Sequence, residues 1–154
     1  MNKTKFLVQA AVIAAIYAAL TVALMPFSYN IMQVRVSEAL TILPFFTPAA
    51  IPGLFIGCII SNIIGGFGLL DIVLGSTASL LAAIATYKIK NRAFAPLPPV
   101  VFNGIIIGAM LSYLLNVPVL VSIGWVSLGQ LIACYGLGYP LLRGLEKYKK
   151  KLFE

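Results

Sequence analysis

Arg35 and Glu38 stand three residues apart at the head of an otherwise apolar stretch, and the next carboxylate along the chain is Asp71. A helix sets residues three apart on one face, so the guanidinium and the Glu38 carboxylate would project together. At the centre of a bilayer helix one charge costs roughly 2.5–3.5 kcal/mol on insertion scales, and charges retained there are usually functional. Glu38 can accept two parallel N–H bonds from a guanine-like edge, and Asp71 can pair with an amine cation. Trp125 and Tyr113 supply faces on which a flat ring could stack. The residues alone therefore describe a site for a small polar, planar or cationic solute.

The rest of the chain reads as a membrane housing for these groups. Of 154 residues 61% are hydrophobic and only 10% charged, and the mean hydropathy is +1.03. Soluble domains are nearer half apolar, with about a quarter of their residues charged. The net charge of +7 is not a nucleic-acid face. Its basic residues cluster at Lys3/Lys5, at Lys88/Lys90/Arg92 and from Arg143 to Lys151, flanking apolar spans as topology signals do, and Arg35 alone stands apart. No histidine is present, which removes the commonest general base and metal ligand. Cys58 and Cys134 lie far apart in apolar sequence without a C-x-x-C partner, so they read as small buried residues. With no convincing nucleophile–base pair either, the chain is expected to be no enzyme and to use no cofactor or metal.

Hydropathy divides the chain into six apolar segments. Residues 4–25 are long enough to span and are read as a retained first helix rather than a signal peptide, since no clear small-x-small cleavage site follows; Pro26 is expected to end it. Residues 26–33 read as a short uncharged loop. Residues 34–46 and 51–64 are short. The first would reach only about 20 Å against a core of about 30 Å, so it is either tucked inside the bundle or extended by its neighbours. Short segments interrupted by Pro and Gly, as in TPAAIPG, point to a binding region in transporters. Asp71 opens a fourth segment to Tyr87, APLPPV reads as a rigid loop, and residues 100–115 and 119–142 form the fifth and sixth, joined by a tight polar turn at Asn116–Pro118.

Six spans place the N-terminus, the 88–92 loop and the basic tail on one side, where the positive-inside rule puts the cytoplasm: N-in, C-in. Four spans with residues 34–64 re-entrant would have the same sidedness. In this topology Arg35, Glu38, Asn62 with Ser61, Asp71, Tyr113, Asn116, Trp125 and Gln130 share the outer half, while Asn103 falls toward the inner side. Such convergence fits an outward-opening pocket with apolar walls. Other readings stay open: Arg35 and Glu38 as a structural ion pair, Asp71 as a helix N-cap or first-turn anion, Trp125 as an interfacial anchor. The first helix also carries two ladders of small residues one step out of phase, Ala10/Ala14/Ala18 and Ala11/Ala15/Ala19. Each would let another helix approach closely, either within the bundle or from a separate protein.

The motifs QVRVSEALTILPFFTPAAIPGLFIGC, GLLDIVLGS and LPPVVFNGIIIG resemble the queuosine-precursor transporter (QueT) family, over about residues 4–145. The resemblance implies a bacterial S component of an energy-coupling factor (ECF) transporter in the cell membrane: an all-α, six-helix bundle that binds a micronutrient from outside and does not itself hydrolyse ATP. It implies as partners a transmembrane coupling protein and two ATP-binding cassette ATPases, with Ala10, Ala14 and Ala18, or Ala11, Ala15 and Ala19, as the docking face. It also implies a 7-deazaguanine solute such as preQ1, preQ0 or queuine, with Glu38 reading the N–H edge, Asp71 or Asn62 assisting, and Arg35 orienting Glu38 or a ring carbonyl. An S component for another vitamin is the alternative.

Overall fold

The computed structural model describes residues 2–28, 34–66 and 68–153, and among these the ordered elements are all helical. They run α1 (Lys3–Ala23), α2 (Met25–Ser28), a 3-10 segment (Val36–Phe45), α3 (Ala50–Gly65), a π turn (Asp71–Gly75) leading into α4 (Ser76–Lys88), a single 3-10 turn (Arg92–Phe94), α5 (Leu97–Leu115), α6 (Val119–Leu131), a second π stretch (Ile132–Gly138), α7 (Tyr139–Glu146) and α8 (Lys149–Leu152). Among the described residues three stretches are long and apolar enough to cross a bilayer: Lys3–Ala23, Arg92–Leu115 and Val119–Glu146. The last joins α6, the π stretch and α7 without a break.

Several expected boundaries shift for local reasons. α1 stops at Ala23, ahead of Pro26, which sits in the short α2. The loop expected over residues 26–33 falls largely outside the described residues. APLPPV is not all loop: Pro98 and Pro99 lie in the first turn of α5, where a missing N–H breaks no helical bond. Pro52 has the same place in α3. The turn after α5 is as expected, with Asn116 capping the helix in the left-handed region at φ 53°.

The 3-10 segment is tucked inside the bundle, with Ser37, Glu38, Ala39, Thr41, Ile42, Leu43 and Pro44 all buried. At about 2.0 Å rise per residue it reaches roughly 20 Å, less than a membrane core. It packs against α1, α4 and the second π stretch. Tyr17, Ile42, Leu54, Cys58, Ala83 and Leu142 fill one apolar core, and Ala78, Ile107, Met110, Leu111 and Val126 a second between α4, α5 and α6.

Close helix approach rests on small residues. A Cβ on Gly53 would lie 2.8 Å from the Ala10 carbonyl oxygen, and one on Gly57 2.9 Å from that of Ala14, so α1 and α3 meet backbone to backbone. This separates the two alanine ladders. Ala10, Ala14 and Ala18 are buried against the bundle, whereas Ala11, Ala15 and Ala19 are exposed. The ends of the chain lie together, since Gln9 Nε2 donates to the Leu152 carbonyl at 2.9 Å. The 88–92 loop joins the C-terminal helices through Arg92 and Glu146, 3.3 Å apart.

Candidate functional site

Three residues per turn stack Arg35, Glu38 and Thr41 along one edge of the 3-10 segment, a tighter alignment than an α-helix would give. Arg35 is 3% exposed and Glu38 1%. Local bonds hold the strand of backbone in place: Thr41 Oγ1 donates to the Glu38 carbonyl at 2.6 Å, and Ser37 and Thr21 share a hydroxyl–hydroxyl bond of 2.6 Å. The Glu38 carboxylate then takes one donor on each oxygen. The Tyr17 hydroxyl of α1 donates to Oε1 at 2.5 Å, and Asn103 Nδ2 of α5 donates to Oε2 at 3.2 Å. Each oxygen keeps a further lone pair.

The Arg35 guanidinium also reaches α3 and the first π turn. Its Nη1 donates to Asn62 Oδ1 at 3.1 Å, and its Nη2 lies 3.7 Å from Asp71 Oδ2. Asn62 Nδ2 in turn donates to the backbone carbonyl of Asp71 at 2.9 Å. The π turn puts Gly75 against this amide: a Cβ there would come within 2.6 Å of Asn62 Nδ2 and 3.4 Å of Asp71 Oδ1. Asp71 is not the N-cap, since the helix already includes Leu69 and Leu70; it is an acidic residue of the first turn. Its carboxylate is buried, and among the described residues neither oxygen receives a hydrogen bond. Unpaired buried carboxylate oxygens are costly, so the guanidinium at 3.7 Å is the group that tolerates them.

On the far side of Glu38, Asn103 Nδ2 also donates to Gln130 Oε1 at 3.2 Å, and the Cys134 thiol lies 3.6 Å from the same oxygen. A small cavity of about 10 Å³ lies between these groups, lined by Arg35, Glu38, Gly75, Ser79, Asn103, Ile107 and Gln130. That is room for about one water.

Of the residues singled out by sequence, Arg35, Glu38, Asn62, Asp71 and Gln130 are brought together. Tyr113 and Trp125 are not. Tyr113 is 78% exposed near the end of α5, and Trp125 is 44% exposed in a shallow apolar groove with Leu120, Val121, Gly124 and Leu128. Asn103, expected toward the opposite side, belongs to the cluster instead, because the buried 3-10 segment carries Glu38 to it. Tyr17 was not singled out by sequence reasoning. The available signal was its place on the stripe Ile13, Ala14, Tyr17, Ala18, Thr21, a helical face with one hydroxyl-bearing ring among small residues.

The QueT transporter family model matches residues 7–147. A curated relative, the queuosine precursor transporter QueT of Lactococcus lactis subsp. cremoris (strain MG1363), is 38% identical over 82 residues. That alignment covers 52% of this chain and 48% of the relative, so the chain spans about half the length of the curated protein it matches. No solved structure matches. A family match over nearly the whole chain, on a helical bundle with three membrane-length spans and a buried polar centre, leads to one assignment: this chain belongs to the QueT transporter family.

Proposed function

We propose that the chain is the substrate-binding S component of an ECF-type importer in a bacterial plasma membrane, and that its solute is a 7-deazaguanine. The observation that carries this is the gathering of Arg35, Glu38, Asn103 and Gln130, from three different elements, around one buried cavity. Apolar chains do not collect such groups for packing alone, because each must be desolvated. The free lone pairs of Glu38 suit the N–H edge of a guanine-type ring. With Arg35, Glu38 and Asp71 all ionised, the cluster carries one negative charge in excess, which an ammonium such as that of preQ1 would balance.

A cavity of about 10 Å³ is far smaller than such a ring, so binding requires its walls to part. The 3-10 segment is the wall suited to move: long 3-10 runs have poorer hydrogen-bond geometry than α-helices, and Pro44 withholds one donor from it. The positive-inside rule, applied to the basic groups near both chain ends and in the 88–92 loop, orients the bundle N-in and C-in. The exposed ladder Ala11, Ala15 and Ala19 is the face of α1 left for a transmembrane coupling protein, which would link the bundle to two ATPases.

The deciding experiment is equilibrium binding of preQ1 to purified protein, with Glu38→Gln alongside and a panel of vitamins as competitors. Tight preQ1 binding that Glu38→Gln weakens by tenfold or more supports the reading. Unchanged affinity in the variant removes Glu38 from the recognition role, and displacement by an unrelated vitamin reassigns the solute.

A further inference from the structure

Asn103 and Gln130 form a pair of amides whose sense is set by Glu38. A carboxylate can only accept, so Asn103 must turn Nδ2 toward Glu38 Oε2, 3.2 Å away. The second N–H of that nitrogen goes to Gln130 Oε1, also at 3.2 Å. Gln130 therefore cannot be flipped without setting one NH₂ against another, and the Cys134 thiol beside the same oxygen favours the same sense. Both residues are 2% exposed and both line the cavity. What they have left to offer it is fixed: an acceptor, Asn103 Oδ1, and a donor, Gln130 Nε2. Neither atom takes part in a hydrogen bond among the described residues.

We infer that this polarised amide pair is a specificity element that reads a lactam edge, a ring carbonyl beside a ring N–H. Gln130 Nε2 donates to the carbonyl oxygen, while Asn103 Oδ1 and Glu38 accept from the N–H groups next to it. The order donor, acceptor, acceptor complements a guanine-type edge. It opposes an edge on which an amine replaces the carbonyl, because the Gln130 N–H would then meet N–H. The inference rests on the solute-binding role proposed above and adds which atoms sort one heterocycle from another. Asn103 and Gln130 thus act with Glu38 as one recognition unit rather than as helix-packing polar residues.

The test is a pair of affinities measured on the same purified preparation: for 7-deazaguanine, and for its analogue with an amine in place of the ring carbonyl. The wild-type protein should prefer the lactam by about 10- to 100-fold, the range expected when a buried donor loses its acceptor. Gln130→Met keeps the length and removes the donor, so the preference should collapse by tenfold or more, chiefly through weaker lactam binding. Gln130→Asn, which withdraws the donor by one methylene, should fall between. Because the readout is a ratio within one sample, loss of folded protein does not mimic it. Equal affinity for the two compounds in the wild-type protein, or an unchanged ratio in both variants, overturns the inference while leaving the solute-binding role standing. Failure of the wild-type protein to bind either compound while it still binds preQ1 overturns this inference alone, and failure to bind preQ1 as well overturns the 7-deazaguanine reading on which it rests.

Discussion

The Tyr17 hydroxyl donates to Glu38 Oε1 across 2.5 Å, from the centre of α1 into the buried 3-10 segment. The bond makes α1 a member of the site. One face of this helix holds the carboxylate in position, and the opposite face carries the exposed alanines Ala11, Ala15 and Ala19. A displacement of Glu38 on solute binding would therefore be felt by the helix proposed above for partner docking.

Tyr17→Phe removes the hydroxyl and leaves the ring packing intact. Hydrogen bonds to charged groups contribute about 1.5–3 kcal/mol, so the variant should unfold more readily in detergent by an amount in that range. It should also bind solute about tenfold more weakly, as Glu38 loses one of its two positioning donors. Thermal unfolding and equilibrium binding on the same preparation check both. Unchanged stability and affinity would make the contact incidental.

Asp71→Asn separates the charge function of this carboxylate from its shape. If Asp71 meets a solute ammonium, the variant should lose tenfold or more in affinity for preQ1 and much less for the uncharged nitrile preQ0. A close buried charge pair is the kind of contact whose one-sided removal costs about 2–5 kcal/mol. Parallel titrations with the two solutes measure the ratio. Equal losses for both would place Asp71 as the structural counter-ion of Arg35 only.

The two alanine ladders should respond oppositely to the same change. Ala14→Leu forces a large side chain between α1 and α3, where even a Cβ added to Gly57 would lie 2.9 Å from the Ala14 carbonyl oxygen. Overpacking of this kind typically costs about 1–3 kcal/mol, so the melting temperature should fall. Ala15→Leu points outward and should leave folding and solute affinity unchanged while lowering uptake in cells that carry the proposed ATPase partners. Uptake assays beside melting curves distinguish the two. Normal uptake by Ala15→Leu would remove the exposed ladder from docking.

Some of this was legible in residue types and spacing. Charges at Arg35, Glu38 and Asp71 in a chain of 61% hydrophobic residues marked the centre, because desolvating them costs so much that only a shared site retains them. The shortness of residues 34–46 and the helix-ending turn at Asn116 also followed from length and from backbone preference. What no spacing could decide was which way each helix faces. In a soluble helix the polar face marks the outside, but here lipid and core are both apolar, so hydropathy does not separate Ala14 from Ala15. Depth counted along straight spans likewise set Asn103 apart from Glu38 and grouped Tyr113 and Trp125 with it. Tertiary structure reversed both, because a 3-10 segment enclosed by the bundle delivers Glu38 to Asn103 and Tyr17, while the rotation of α5 and α6 about their own axes turns Tyr113 and Trp125 outward.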